Sequence, residues 1–458
     1  MKTNNLFNLA LLLLSLTTAC KKNWLDGKPN KALVIPQTVA DYQALLDNVS
    51  DGNAGMNANQ PSMSMVGDGD YQISDATYNA LGYPPEKGAY TWAATADFYS
   101  GQANYEWISA YTRLLQANIV LDGITALSNT DPAASNNIKG SALFFRSYNF
   151  YELAQQYCPP YNAATAGTDP GLPLRLSADI NVVIRRSTLQ ATYDRMIGDL
   201  QQALPLLPVT PLYPTRPSKP AAYGLLARIY LSQENYSQAL LYADSCLQLQ
   251  PALMDFNELS LTAATPIAYF NKEVIFHSQL TGYQSGNPPA LIVDPGLGAS
   301  YSAGDLRPGV FFINQSGVLT MHSSYVGSNF GRFGGLATDE MYLDRAECYA
   351  RAGNTAAALQ DLNKLLKNRY RTGTFSGLTA ANADAALALI VAERRKELCF
   401  RNLRWPDLRR LNKDPRFQVT LTRTVSGKVY TLPPNSPRYV LPLDPIETTS
   451  GGLEQNPR

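Results

Sequence analysis

The sequence predicts a mainly α-helical protein, built as a scaffold of tetratricopeptide-like helix pairs with long irregular loop insertions. Three observations support this fold class. Apolar residues recur at helical spacing through most of the chain. One helix-pair pattern occurs twice with identical internal spacing. Two long stretches rich in glycine or aromatic residues interrupt the helical segments, and such long loops inside a compact domain are usually functional.

The chain begins with the features of an export signal. Lys2 precedes a short apolar run, Leu6 to Leu16, which is followed by Thr-Thr-Ala and then Cys20. This run is shorter than the roughly 20 residues that a helix needs to cross a bilayer. We therefore expect a signal peptide over 1–19 and acylation of Cys20, which anchors a protein without spanning the membrane. An ordinary signal peptide that ends near a cysteine by chance is the alternative.

Charge and composition exclude several classes of function. The formal net charge is +1, and loss of Lys2 with the signal peptide would bring it to 0, so nucleic acid is not an expected partner. His277 and His322 have no second ligand at metal spacing, so neither a metal site nor a cofactor is predicted. The remaining cysteines are far apart in apolar segments, which predicts buried free thiols. They are Cys158, Cys246, Cys348 and Cys399.

Several helices are predicted from apolar spacing alone. Residues 20–36 are polar and are expected to form a tether before the first helix. Ser141 to Tyr157 carries apolar residues nearly all round, which predicts a central helix closed by the two prolines that follow. The other predicted helices cover Ala40 to Asn48, Tyr105 to Leu127 and Thr192 to Leu204.

The repeated pattern is Ala-x2-Tyr-x8-Ala, which begins at Ala227 and again at Ala346. Small residues let two helices approach closely while the tyrosine fills the gap, so the pattern predicts helical hairpins, with Gly353 at the second turn. Because a repeat array needs about three units to bury a continuous core, two earlier helices are expected to form a degenerate pair. The predicted pairs lie near 105–157, 192–251 and 338–411, within one domain over 37–458.

Two irregular stretches are predicted to form a loop-rich face. Residues 266–335 contain 11 glycines in 70 positions, too many for continuous helix, and their aromatic residues argue against disorder. The region 71–111 holds ten aromatic residues, and its first half lacks helical spacing. We place the predicted ligand face on 68–100 and 266–335.

Four motifs in order along the chain resemble one known family. They are WLDGKPNKALVIPQTVADYQALLDN near the start, LAQQYCPPY followed by DPGLPLRL, AERRKELCFRNLRWPDLRRL, and the ending RYVLPLDPIE with LEQNP. Together they resemble the SusD/RagB family of nutrient-uptake lipoproteins of Bacteroidota, over nearly the whole chain. The third motif is the most specific of the four.

The resemblance implies a function and a partner. Members of this family are lipoproteins on the outer membrane that cap a SusC-like TonB-dependent transporter, capture glycans or in some members peptides, and deliver them to the barrel. It therefore implies a cell-surface, SusD-like protein with a glycan ligand. Lys21 and Lys22 stand where surface lipoproteins of this group often carry acidic residues, which leaves a periplasmic orientation as the alternative.

Sugar binding requires an apolar platform for the C–H face of the ring and polar groups for its hydroxyls, so loop aromatics beside polar residues are the candidates. Trp92 is the first candidate, with core packing as its alternative. A solvated turn is the alternative for Asp68 and Asp70, and the motif around them lacks the Gly and Glu of a calcium loop. The full set is Trp92, Tyr71, Tyr90, Tyr99, Asp68, Asp70, Tyr283, Tyr301 and Arg307.

The sequence contains no evident catalytic machinery, and we predict that the protein is not an enzyme. Glu393 and Glu397 lie one turn apart on a predicted helix, so they cannot flank a glycosidic bond from opposite sides and are expected to form structural ion pairs. Two rival hypotheses stay open. One is a tetratricopeptide-type protein-interaction scaffold, and the other is a lipoprotein that cleaves glycans.

Overall fold

A computed structural model describes residues 36–48, 55–93, 98–127 and 131–458. The predicted signal peptide, Cys20 and nearly all of the tether lie outside these ranges. The structure confirms a mainly α-helical fold. In chain order the helices are α1 (Val39–Leu46), α2 (Met63–Val66), α3 (Asp75–Ala80), α4 (Pro84–Tyr90), α5 (Tyr105–Ile124), α6 (Pro132–Tyr157), α7 (Leu189–Ala203), α8 (Lys219–Ser232), α9 (Tyr236–Leu249), α10 (Pro295–Ala299), α11 (Arg307–Phe311), α12 (Thr338–Arg351), α13 (Thr355–Lys367), α14 (Ala383–Glu397), α15 (Arg404–Leu411) and α16 (Pro445–Thr449).

The strands are short and pair antiparallel, two by two. They are β1 (Tyr71–Gln72), β2 (Pro170–Pro173), β3 (Arg186–Thr188), β4 (Val274–Phe276), β5 (Ile292–Val293), β6 (Phe312–Gln315), β7 (Val318–Met321), β8 (Leu336–Ala337), β9 (Leu421–Val425) and β10 (Lys428–Leu432). β1 pairs with β5, β2 with β3, β4 with β8, β6 with β7 and β9 with β10. The β1–β5 pairing, with Tyr71 opposite Val293, joins the two irregular stretches to each other.

The long helices pack in sequence order and form the back of the molecule. α5 packs on α6, α6 on α7, α7 on α8 and α8 on α9, and α9 then packs on α12, which also contacts α13 and α14. α6 is central, since every residue from Ser141 to Tyr157 is buried. It begins at Pro132, nine residues before the predicted start, because Asp131 caps the first turn and Pro132 occupies the first helical position despite the polar sequence there.

The two repeat units share the same turn geometry. The first and third positions of each pattern are fully buried alanines, Ala227 with Ala239 and Ala346 with Ala358. Gly353 has φ +80°, and Glu234, at the matching position of the α8–α9 hairpin, also has a positive φ of 59°. An asparagine then caps the second helix of each hairpin. The left-handed residue reverses the chain, and glycine adopts this conformation without the steric cost that Glu234 bears.

The described cysteines Cys158, Cys246, Cys348 and Cys399 are free and buried, as predicted. Burial raises the pKa of Cys158 to about 11, so this thiol stays protonated at neutral pH. Within the described ranges, none of the helices combines the length and the apolar character that a membrane span requires.

Candidate functional site

A pocket of about 420 Å³ opens where α4, the first turns of α5 and the segment 281–284 meet. Three tyrosines line it: Tyr83, Tyr105 and Tyr283. Two carboxylates, Glu86 and Glu106, lie at its inner side and are 2% exposed. Further polar groups at the wall come from Asn59, Ser109, Thr281 and Gln284. We call this site the tyrosine pocket.

The three tyrosine rings form a graded aromatic surface. The rings of Tyr83 and Tyr283 are nearly parallel, with centroids 6.3 Å apart and an interplanar angle of 10°. Tyr105 is tilted by 35° against Tyr83 at a centroid distance of 5.8 Å. Tyr283 is 7% exposed, whereas Tyr105 is 55% exposed, so the surface leads from the interior to the solvent.

Local sequence explains the position of two of these rings. Tyr83 precedes Pro84, which disfavours helical backbone at Tyr83, and its φ of −107° and ψ of 106° are extended. Its hydroxyl donates to the carbonyl of Ala103 at 2.7 Å, which fixes the ring beside α5. Asn104 caps α5 by accepting from the Trp107 amide at 3.2 Å, so Tyr105 is the first helical residue and projects at the helix start.

The two buried carboxylates connect the segments that form the pocket. Glu106 accepts the amides of Ser62 at 2.5 Å and Met63 at 3.1 Å, and Glu86 accepts the amide of Ser285 at 2.6 Å. Burial raises the pKa of Glu106, and hydrogen bonds from Ser62 and the Tyr283 hydroxyl oppose the rise. Burial also raises the pKa of Glu86. The carboxylates therefore act first as internal anchors for the loops around the pocket.

The arrangement suits binding of a hydroxylated ring. Tyr105 and Tyr83 offer exposed and half-exposed aromatic faces as an apolar platform, while the side chains of Asn59, Thr281 and Gln284 at the wall can hydrogen-bond to sugar hydroxyls. A concave site with apolar walls and a few converging polar groups is the usual form of a small-molecule site.

Family models match the chain on both sides of the second irregular stretch. A SusD-like model described as starch-binding and associating with the outer membrane matches residues 23–231, and the SusD family model matches residues 338–426. The chain belongs to the SusD family. A comparison with curated proteins found no match for this SusD-family protein.

Solved structures share the fold at low sequence identity. A SusD superfamily protein from Bacteroides thetaiotaomicron VPI-5482 is 20% identical, with a TM-score of 0.72 over 92% of this chain and 100% of that one. A SusD-like carbohydrate binding protein from Bacteroides vulgatus ATCC 8482 is 20% identical, with a TM-score of 0.67 over 91% and 97%. A laminarin binding SusD-like protein is 16% identical, with a TM-score of 0.64 over 92% and 97%.

Trp92 of this SusD-family protein lies in the core. Its ring is 2% exposed, and its indole nitrogen donates to the carbonyl of Gly67 at 2.9 Å. It belongs to a hydrophobic cluster with Trp405, Leu408 and Tyr439. A ring buried in this way cannot serve as a platform for a sugar, so the prediction that Trp92 is an exposed ligand contact is corrected to its alternative, core packing.

The other predicted aromatics of the first stretch are also internal, with hydroxyls bonded inside the protein. Tyr90 accepts from the amide of Ile73 at 2.9 Å, and Tyr99 donates to the carbonyl of Pro442 at 2.8 Å. Tyr71 is 1% exposed and bonds Ser285 at 2.8 Å, so it supports the tyrosine pocket from behind. None of these three rings presents a face to a ligand.

The predicted polar contacts are buried or engaged as well. Asp68 is 1% exposed and Asp70 is 0% exposed, and the Asp70 carboxylate binds Arg395 at 2.9 Å, so the solvated turn is also wrong. Tyr301 is half-buried and donates to the carbonyl of Lys396 at 2.8 Å, away from the pocket. Of the predicted ligand residues, Tyr283 alone lines the tyrosine pocket.

Arg307 is an internal ion-pair residue. Its guanidinium is fully buried and lies 2.6 Å from both Asp305 and Glu393 and 3.2 Å from Glu397. The prediction that Arg307 contacts ligand is therefore corrected, whereas the predicted structural ion pairing of Glu393 and Glu397 is confirmed. Glu397 also binds Arg369 at 2.7 Å.

Sequence analysis missed Tyr83 and Tyr105. Tyr105 opens the helix predicted over Tyr105 to Leu127, whereas the candidate ligand residues were sought on loops. A usable signal was present, because Tyr105 directly follows Asn104, a residue type preferred as a helix cap, so Tyr105 stands where a loop meets the helix. Tyr83 precedes two prolines, which indicates a loop position.

Proposed function

We propose that this SusD-family protein is a lipoprotein, acylated at Cys20 and facing the cell exterior, that captures oligosaccharides without cleaving them. The ligand binds in the tyrosine pocket and is passed to a SusC-like TonB-dependent transporter. The observation that carries the proposal is the graded surface of Tyr83, Tyr105 and Tyr283 beside two buried carboxylates.

The physical basis is the dual character of a sugar ring. Its C–H face is apolar and packs against an aromatic ring, whereas its hydroxyls need polar partners at the edge. The tyrosine pocket supplies both within about 420 Å³. The starch-binding description of the matching family model and the laminarin binding relative support the same ligand class.

A binding array of oligosaccharides and peptides tests the proposal, using the full chain with Cys20→Ala so that no lipid is attached. We expect binding of at least one oligosaccharide family and release of no shorter product. Product release would show an enzyme instead, and binding of peptides alone would show a peptide-capture protein. Absence of any binding would favour the protein-interaction scaffold.

A further inference from the structure

A second cavity, of about 610 Å³, lies on the opposite flank of α5 from the tyrosine pocket. Its walls come from α5, from the loop between β2 and β3, and from the segment that follows α16. Aliphatic side chains dominate it: Ile108, Leu115, Ile180, Val182, Val183 and Leu453. We call it the aliphatic groove.

The groove displays apolar surface to water. Ile108 is 49% exposed, Ile180 is 73% exposed and Val183 is 86% exposed. Water-exposed aliphatic groups gathered around one cavity are unfavourable until something covers them, and such clusters mark binding sites.

Hydrogen bonds hold the loop that carries these side chains. Asn118 on α5 donates to the carbonyl of Arg175 at 3.0 Å, and Asp122 accepts the amide of Ala178 at 2.9 Å. Arg175 in turn donates to the carbonyl of Asp179 at 2.9 Å. The loop is therefore fixed against α5 at its base while its aliphatic tip stays open, so the groove is preformed.

The groove and the tyrosine pocket are separated by the exposed edge of α5, where Tyr105 is 55% and Ile108 is 49% exposed. Tyr105 lines the pocket and Ile108 lines the groove, and these residues are neighbours on one helix face, about 5 Å apart along the axis. A ligand seated on Tyr105 that extends past this turn enters the groove.

The chemistry of the groove differs from that of the pocket. Trp107 in its wall is 4% exposed, and the Tyr111 hydroxyl is already donated to the carbonyl of Pro173 at 2.8 Å. The Trp107 ring is therefore closed to a sugar, and the exposed aliphatic groups of the wall match an aliphatic chain.

We infer that the ligand is an amphipathic glycoconjugate, with its sugar in the tyrosine pocket and an aliphatic chain in the aliphatic groove. This inference rests on the proposed function for the sugar end. The groove itself requires only an apolar substituent.

The test compares n-octyl and methyl β-D-glucopyranoside, which share one sugar and differ in the apolar tail. Binding to the full chain with Cys20→Ala is measured by calorimetry below the micelle concentration of the octyl compound. We expect the octyl glucoside to bind about tenfold more tightly or better, because burial of two methylenes already gives that factor. An equal affinity for the two compounds would overturn the inference.

The variant Ile180→Ser/Val183→Ser should remove most of the difference between the two glucosides. Both side chains are largely exposed, so their replacement leaves folding intact. Leu212→Ser is the matched control, since Leu212 is 68% exposed outside the groove, and it should keep the difference. A difference that persists in the double variant contradicts the assignment. Failure of the proposed function would give a different result from failure of this inference. In that case the protein would still prefer octyl glucoside to methyl glucoside, but no oligosaccharide would bind in the array.

Discussion

At the scale of single residues, the tyrosines of the tyrosine pocket differ in how far they are buried. Tyr283 is buried and bound by its neighbours, so its removal affects both packing and ligand. Tyr105 is 55% exposed and stands at the first position of α5. Tyr105 is therefore the residue at which binding can be separated from stability.

Tyr105→Ala should weaken oligosaccharide binding about tenfold, or ~1.4 kcal/mol, because an exposed platform is lost. Thermal stability should hardly change, since surface substitutions usually shift the free energy of unfolding by no more than about 0.5 kcal/mol. Calorimetry measures the oligosaccharide affinity, and thermal unfolding measures the stability. Tyr213→Ala is the matched control, because Tyr213 is also 55% exposed but lies outside the pocket, and it should leave affinity unchanged. Equal losses in both variants would contradict the site.

Trp92→Ala should behave in the opposite way. Loss of this buried ring, which packs with Trp405 and bonds Gly67, should lower the free energy of unfolding by about 3–5 kcal/mol. Urea denaturation measures the loss. If the variant kept wild-type stability but lost ligand affinity, the assignment of Trp92 to the core would be wrong.

At the scale of elements, buried charges connect the helices. Glu152 on α6 lies 3.7 Å from Arg228 on α8, and Arg228 binds Glu340 on α12 at 2.7 Å. Asn402 donates to Glu152 at 3.4 Å. Burial raises the pKa of Glu152 to about 7, although Arg228 opposes the rise. α6, α8 and α12 thus share one polar contact inside an otherwise apolar stack.

Because the pKa of Glu152 is higher in the folded state than its ordinary 4.5, the folded protein binds more protons between these values. Its contribution to stability is present below pH 4.5 and is lost as pH rises through about 7. Glu152→Gln removes this titration. The free energy of unfolding of the variant, taken relative to wild type, should therefore rise by about 1–3 kcal/mol from pH 4.5 to pH 7.5. Urea denaturation at both pH values measures the difference. A difference that is the same at both would refute the shifted pKa.

At the scale of the whole molecule, ion pairs hold the irregular stretch 266–335 on the helical back. Arg369 binds Glu273 at 2.8 Å, within that stretch, and Glu397 at 2.7 Å, at the end of α14. Arg307 adds bonds from the same stretch to α14. The stretch that contains the pocket segment 281–284 is therefore held on the helices, which suits the proposed preformed site.

The lipid anchor and the partner are tested together. Metabolic labelling with a fatty acid should mark the wild-type protein and not Cys20→Ala. When the labelled protein is solubilised from outer membranes and affinity-purified, a TonB-dependent transporter should co-purify with it. Labelling that persists in Cys20→Ala would refute acylation at this residue, and purification without any transporter would weaken the proposed delivery step.

Patterns set by local chemistry were predictable. The paired hairpins were predicted from alanines at positions where two helices pack closely. The structural ion pairing of Glu393 and Glu397 was also predicted, but the partners Arg307 and Arg369 are distant in the chain and came only from the structure. α6 begins nine residues before the start that apolar periodicity predicts, because a cap and a proline can begin a helix where this periodicity is absent.

Which aromatic residues face a ligand could not be predicted from local sequence. Trp92 and Tyr105 both lie in the aromatic-rich region 71–111, yet one is 2% and the other 55% exposed. The difference arises from distant chain segments, since Trp405 and Tyr439 cover Trp92 while Tyr83 and Tyr283 stand beside Tyr105. The sequence by itself determined the helical scaffold and the family, because these depend on short-range spacing and motifs, and it predicts the export signal. Only the tertiary structure decided which aromatic side chains are exposed, because exposure is set by contacts between residues far apart in the chain.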